Sequence, residues 1–283
     1  MVRFGGGRAL SRGTGFIFAY PIQNGGYILS LVTNYHILTG AAPRRKLEPV
    51  GDAIGIELRT GGAAPEKVYQ LSFPLKTTHG IRTWVPCPSF PDADIAAVPL
   101  PLDQAHFSEP PYCLDTETTK VDVDCFPGQA VAVIGYPLGW RDRRAKLPVW
   151  KTGHLASEPD LDFDGDPRLL IDITGRPGMS GSPVIAGHMS PYRATGGMLR
   201  FGGSGKLIGV YSSNAIRTPR EGESAEELSI EEAEESGVTP GLLRPELGFV
   251  WKAHLVIETM ASIDVERFRT EIWPKLGSIR ADV

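Results

Sequence analysis

One short run of the chain sets a potential nucleophile in a suitable turn. The run Gly178-Met179-Ser180-Gly181-Ser182-Pro183 places a serine between glycines, so that a tight turn can present its hydroxyl outward. The glycine two residues before the serine lets a backbone N–H turn toward a substrate carbonyl. The N–H groups of Gly178 and Ser180 are therefore the predicted oxyanion hole, which would stabilise the negative charge that develops during acyl transfer.

A serine hydroxyl is a weak nucleophile until a base removes its proton, and His36 is the predicted base. It directly follows an apolar run, and an imidazole titrates near neutral pH, as a general base requires. The base in turn needs a carboxylate that fixes its tautomer and orientation. Asp94 and Asp92 are both candidates, and we prefer Asp94 because it directly adjoins the apolar run at 95–98.

Short strands separated by turns must position these residues. Runs rich in β-branched and aromatic residues, bounded by glycine and proline, predict most of the strands. The predicted strands are 15–20, 27–33, 53–58, 68–73, 83–85, 94–100, 130–135, 149–155, 169–173, 182–186, 207–212 and 248–257. A helical turn is predicted at 37–40 and a short C-terminal helix at 264–272, capped by Asp264. Strands do not alternate with full helices, which excludes a doubly wound parallel sheet and predicts an all-β fold with two antiparallel barrels.

The chain divides into two β-rich halves joined by a proline-rich stretch. We expect an N-terminal barrel at 1–105 with His36 and Asp94, a linker at 106–127, and a C-terminal barrel at 128–283 with Ser180. A cleft between the barrels would bring the three residues together. Eight glutamates crowd the segment 220–238, which is interpreted as an exposed insertion or as a regulatory flap beside the cleft.

Taken together, these motifs resemble the chymotrypsin-like (trypsin-fold) serine peptidases, closest to the bacterial HtrA and glutamyl-endopeptidase types. The matching pieces, in chain order, are residues 13–16, 32–36, 94–98, 135–139, 178–183 and 207–212. The resemblance implies two six-stranded barrels with a catalytic triad of His36, Asp94 and Ser180 between them. Met179 departs from the family pattern, which has a polar residue before the serine.

The resemblance also implies a primary specificity pocket. Thr174 would lie at its base, with Ser212, Ser213 and Asn214 along its wall. None of these is acidic, so a preference for substrate arginine or lysine is disfavoured, and a small-to-medium side chain is expected.

Composition excludes several other functions. The formal net charge is −4 and the basic runs are short, so no nucleic-acid partner is expected. Apolar runs are too short for a membrane span or a signal peptide, which predicts a cytoplasmic protein with no membrane partner. The three cysteines have neither disulfide-framework nor zinc spacing, so we expect free buried thiols, no metal and no cofactor.

The predicted function is that of a serine endopeptidase acting on a protein or peptide substrate, and restrained by narrow specificity or by a regulatory protein partner. A catalytically silent, peptidase-like binding or scaffold protein is the alternative. An α/β-hydrolase esterase is a second alternative. It needs glycine where Ser182 stands and the order Ser, Asp, His, whereas the order here is His, Asp, Ser.

Overall fold

The computed structural model describes most of the chain: residues 2–3, 9–23, 25–43, 49, 51–59, 68–102, 111–142, 146–188, 192–193, 199–200, 204–214, 246–276 and 280–282. Its strands are β1 Val2–Arg3, β2 Ala9–Ser11, β3 Phe16–Pro21, β4 Tyr27–Thr33, β5 Ala53–Arg59, β6 Val68–Pro74, β7 Val85–Pro86, β8 Ala96–Pro99, β9 Cys113–Asp115, β10 Ala130–Gly135, β11 Val149–Leu155, β12 Arg168–Asp172, β13 Pro183–His188, β14 Tyr192–Arg193, β15 Leu199–Arg200, β16 Ser204–Asn214, β17 Leu247–Lys252 and β18 Arg280–Asp282. The helices are Tyr35–Thr39, Thr116–Lys120, Ala253–Ala261 and Val265–Arg267, with single turns at Pro137–Gly139, Phe268–Ile272 and Trp273–Lys275.

The second half closes into a barrel, with the strand order β10-β11-β12-β17-β16-β13. All of its pairings are antiparallel, and alternate residues such as Val131 and Val133 point into its core. Closure leaves no unpaired edge among these six strands. The predicted all-β fold and one six-stranded barrel are confirmed.

The first half is built from two sheets. In the part of the chain that the structure describes, these have the orders β18-β6-β5-β1-β2 and β7-β8-β4-β3-β9. Side chains from both sheets, such as Phe73 and Phe18, share one buried core. The predicted second closed barrel of six strands is not confirmed, because the two sheets pack on one another here without forming one continuous closed ladder.

The predicted strand at 248–257 is wrong in its second half. The strand β17 ends at Lys252, and the helix Ala253–Ala261 follows it. Val256 and Met260, four residues apart, both lie on the buried face of that helix. They join the apolar core of the first half, so the helix packs the end of the chain against that half.

The predicted C-terminal helix is present but short. Asp264 caps it, since its Oδ1 accepts a hydrogen bond of 3.0 Å from the N–H of Arg267. The helix Val265–Arg267 continues as a wider turn at Phe268–Ile272, which buries Phe268 and Ile272.

The predicted linker at 106–127 contains regular structure that the sequence reading missed. The strand β9 pairs in parallel with β3, and the helix Thr116–Lys120 follows directly. Asp115 and Thr118 cap this helix reciprocally, with hydrogen bonds of 2.9 and 2.7 Å between each side chain and the other residue's N–H. The predicted domain boundaries themselves stay predictions.

Candidate active site

His36 lies in a short helix at the end of a buried strand. The strand β4 is apolar and β-branched and ends at Thr33, and the helix Tyr35–Thr39 begins two residues later. The buried Asn34 between them does not cap the helix; its side-chain nitrogen donates a 2.6 Å hydrogen bond to the backbone oxygen of Asp94. Asn34 therefore ties the histidine helix to the segment that carries the carboxylate.

The carboxylate of Asp94 is buried and accepts three hydrogen bonds. Its Oδ2 lies 2.6 Å from His36 Nδ1 and also accepts a 2.6 Å bond from the hydroxyl of Ser212. Its Oδ1 accepts a 2.9 Å bond from the backbone N–H of His36. The structure thus places Asp94, and not Asp92, against the imidazole.

These contacts keep Asp94 ionised. Burial raises the pKa of this carboxyl, but the charge of His36 and the hydrogen bonds from His36 and Ser212 outweigh burial and leave the pKa below its ordinary value. An ionised carboxylate at Nδ1 requires a proton on that nitrogen. In the neutral imidazole Nε2 then carries the lone pair, which is the tautomer that a general base needs.

Ser180 lies in a tight loop that is fixed by backbone hydrogen bonds. The N–H of Met179 bonds to Arg176 O at 3.1 Å, and the N–H of Ser182 bonds to Met179 O at 2.9 Å. The carbonyl of Ser180 accepts a 2.8 Å bond from the N–H of Thr14. The serine itself is buried, with 7% of its surface exposed.

Two sets of contacts connect this loop to the segments that carry His36 and Asp94. The N–H of Gly181 bonds to Tyr211 O at 2.8 Å, and the next residue along β16 is Ser212, which bonds to Asp94. A methyl group placed on Gly13 would lie 2.5 Å from Ile37 Cδ1 and 3.0 Å from Ser180 O, so the histidine helix and the serine loop meet at Gly13. The fold thus brings the serine loop next to the helix that carries His36 and to the strand whose Ser212 bonds Asp94.

Met179, the departure from the family pattern, is fully buried. It packs among apolar residues of the closed barrel, including Val184, Tyr211 and Val250. An apolar side chain here anchors the serine loop through burial, where a polar one would need a partner.

The residues of the predicted specificity pocket are distributed as follows. Thr174 is exposed and lies two residues beyond β12. The hydroxyl of Ser212 is engaged with Asp94, so this residue supports the carboxylate. Ser213 and Asn214 belong to β16, and their side chains lie outside the described part of the structure.

A lysine that the sequence reading missed contacts this region. Lys151 on β11 donates a hydrogen bond to the backbone oxygen of Thr174. Partial burial and the nearby charge of Arg176 lower the pKa of this amine. Thr14, within the motif at 13–16, also contacts the serine loop, and no local pattern of the sequence links it to a loop more than 160 residues away.

Other sequence expectations have mixed outcomes in the described residues. The three cysteines are free there, but only Cys87 is buried; the prediction is wrong for Cys113, which is exposed, and for Cys125, which is half-buried. No group of three or more metal-ligating side chains is present in the ranges given above. Among the helices described, none is both long and apolar enough to cross a membrane. The acidic segment 220–238 lies outside the described residues.

Comparison with known proteins gives one family. Residues 13–189, more than half of the chain, match the family of trypsin-like peptidase domains. No curated protein matches the chain. Among solved structures, the chain is similar to the active form of the Rv3671c protease from M. tuberculosis, with 18% identity and a TM-score of 0.42 over 93% of this chain and 78% of that one. It is similar to a serine endoprotease from Yersinia pestis, with 13% identity and a TM-score of 0.41 over 90% of this chain and 59% of that one. A thermostable serine protease, AL20, from an extremophilic microorganism matches with 12% identity and a TM-score of 0.37, over 88% of this chain and 95% of that one.

Proposed function

We propose that this chain, which belongs to the family of trypsin-like peptidase domains, is a serine endopeptidase that hydrolyses peptide bonds through an acyl-enzyme on Ser180. Membership of the family confirms the resemblance inferred from the motifs. The choice between the HtrA and glutamyl-endopeptidase types stays a prediction.

The observation that carries the proposal is the buried pair of Asp94 and His36, joined at 2.6 Å between Oδ2 and Nδ1. Its carboxylate is ionised and its imidazole carries the Nδ1 proton, so Nε2 can take the proton of the Ser180 hydroxyl. A serine loop with two glycines adjoins this pair. That arrangement suits acyl transfer, which needs a nucleophile, a base and an oriented carboxylate.

In the proposed mechanism, Ser180 Oγ attacks the scissile carbonyl while His36 takes its proton. The N–H groups of Gly178 and Ser180 stabilise the tetrahedral oxyanion. His36 then gives the proton to the leaving amine, and the acyl-enzyme forms. Water, deprotonated by His36, attacks the ester and releases the second product.

The test is covalent labelling by a fluorophosphonate together with cleavage of a peptide library. Ser180→Ala should abolish both while the melting temperature is retained, and His36→Ala should lower both strongly. Ser262→Ala is the matched control, since this exposed serine only bonds the backbone of its own helix, and it should behave as wild type. A folded wild-type protein that neither labels nor cleaves would instead be the silent binding or scaffold protein.

We propose that the primary pocket accepts a small-to-medium side chain. Thr174 supports this because it presents no negative charge that would attract arginine or lysine. Lys151 and Arg176 add positive charge close to Thr174, which further disfavours cationic side chains. Cleavage that clusters after arginine or lysine in the peptide library would overturn this proposal.

We propose that activity is restrained, with the acidic segment 220–238 as the restraining element. The segment lies between β16 and β17, and β16 carries Ser212 beside Asp94. Deletion of 220–238 should raise the labelling rate or widen specificity. Unchanged rate and specificity would contradict the restraint.

We also propose that the protein is cytoplasmic. Recovery of the protein in a non-cytoplasmic fraction would contradict this location.

A further inference from the structure

The hydroxyl of Thr14 connects two segments of the second half, although Thr14 belongs to the first. Its Oγ1 donates a 2.7 Å hydrogen bond to the carbonyl of Gly178 and accepts a 3.1 Å bond from the backbone N–H of Tyr136. A peptide N–H can only donate, so the hydroxyl oxygen accepts from Tyr136 and its single proton is directed to Gly178. Thr14 is buried, with 4% of its surface exposed, so water does not compete for these bonds.

The peptide between Pro177 and Gly178 is also held by the turn at 136–138. The N–H of Leu138 donates a 2.6 Å hydrogen bond to the carbonyl of Pro177. In a planar trans peptide the C=O and N–H point in opposite directions. Since the Pro177 carbonyl faces Leu138, the N–H of Gly178 faces away from the turn at 136–138.

Gly178 itself has no room for a side chain. Its φ is +91°, and a methyl group placed on it would lie 2.5 Å from Tyr136 O. The backbone of Gly178 is therefore pressed against the turn, and the peptides on both of its sides are hydrogen-bonded, one to Leu138 and one to Thr14.

We propose that Thr14 is a positioning residue for the oxyanion hole, an inference that rests on the proposed function. Leu138 holds the carbonyl of Pro177 and so turns the N–H of Gly178 toward the oxyanion position. The hydroxyl of Thr14 holds the next peptide by the carbonyl of Gly178, so that Gly178 keeps this orientation before substrate binds. Rotation of either peptide would break a buried hydrogen bond. The first half thus supplies the base and also sets the geometry of the hole in the second half.

The matched pair Thr14→Val and Thr14→Ser tests the proposal. Valine keeps the shape of threonine and removes the hydroxyl, whereas serine keeps the hydroxyl. The readout is inactivation by a fluorophosphonate, whose phosphoryl oxygen occupies the oxyanion hole, with the maximal rate (kinact) and half-saturation (KI) measured separately.

We expect Thr14→Val to lower kinact about ten- to hundredfold, somewhat less than complete loss of one oxyanion donor. KI should stay unchanged, and so should the pH midpoint of inactivation, because the pair of His36 and Asp94 is intact. Thr14→Ser should restore kinact to near the wild-type value. A general loss of packing would not lower kinact while leaving KI and the pH midpoint unchanged, and Thr14→Ser would not restore kinact.

Thr259→Val is the control for the loss of a buried threonine hydroxyl, since Thr259 bonds only the carbonyl of Leu255 in its own helix. It should keep the wild-type kinact. If Thr14→Val does not fold, Thr14→Ala is measured below its own melting temperature.

Wild-type kinact in a folded variant without the hydroxyl overturns the role of Thr14. An equal fall in kinact for Thr14→Ser and Thr14→Val overturns it too. Failure of the wild-type protein to react with the fluorophosphonate refutes the proposed function instead, so the two failures are distinguishable.

Discussion

The hydroxyl of Ser212 donates a 2.6 Å hydrogen bond to Asp94 Oδ2, and this contact joins β16 of the closed barrel to the carboxylate of the first half. The same carboxylate oxygen faces His36 Nδ1. Ser212 therefore shares the task of keeping Asp94 ionised and oriented.

Ser212→Ala should destabilise the fold in a pH-dependent way. At neutral pH we expect a loss of about 1.5–3 kcal/mol in the free energy of unfolding, the size of a hydrogen bond to a charged group. The pKa of Asp94 is lowered by folding from 3.8, so its contribution is present above that pH and is lost as the pH falls through the folded pKa. The variant raises the folded pKa, so its deficit should shrink as the pH falls below 3.8.

Urea unfolding at a series of pH values measures this deficit. Ser157→Ala is the control, because Ser157 accepts a hydrogen bond from the neutral N–H of Leu170, and its deficit should not change over the same range. A constant deficit for Ser212→Ala would show that its hydroxyl does not interact with the charge of Asp94.

The sequence predicted the strands better than the contacts between them. The bounds of β4, β10 and β11 agree with those expected from β-branched runs, because alternation and turn residues are local signals. The helix Ala253–Ala261 was missed because its apolar run suits a strand or a helix equally well. The contacts of Thr14 with Gly178 and of Ser212 with Asp94 span 164 and 118 residues, and only the fold brings these partners together.

Asp94→Asn should lower kcat on the order of 10⁴-fold, because the amide favours the wrong imidazole tautomer. Because asparagine keeps the size of the side chain, the variant should stay folded, and unfolding should not account for the fall in kcat. Cleavage of a fluorogenic peptide from the library measures it. Asp92→Asn, two residues earlier, is the control and should keep wild-type kcat. Equal effects of the two substitutions would refute the special role of Asp94.

Met179→Asp should unfold the serine loop, because a carboxylate would replace a fully buried side chain in the apolar core of the barrel. A buried charge without a partner costs several kcal/mol. Met179→Leu is the matched change and should cost less than about 1.5 kcal/mol. Thermal unfolding of the two variants distinguishes them. A stable aspartate variant would mean that the loop does not depend on burial of Met179.

Gly135 lies beside the turn at 136–138 and against both Thr14 and the serine loop. A methyl group on Gly135 would lie 2.1 Å from Ser182 Oγ and 2.8 Å from Thr14 Oγ1. Gly135→Ala should therefore cost about 1–3 kcal/mol of stability through overpacking. Ser182→Ala alone should be near neutral, since Ser182 Oγ is buried without a hydrogen-bond partner in the described residues.

The double variant of Gly135 and Ser182 distinguishes the packing around Gly135 from the positioning of Gly178 by Thr14. In Gly135→Ala/Ser182→Ala the nearest atom of residue 182 would be Cβ, at 3.3 Å, so part of the stability should return, with a coupling of about 1 kcal/mol. The clash with Thr14 Oγ1 stays, and it displaces the hydroxyl that holds Gly178. Stability in urea should therefore recover in part while fluorophosphonate kinact stays low. Parallel recovery of both would show that the oxyanion loop needs only space at Gly135, and not the hydroxyl of Thr14.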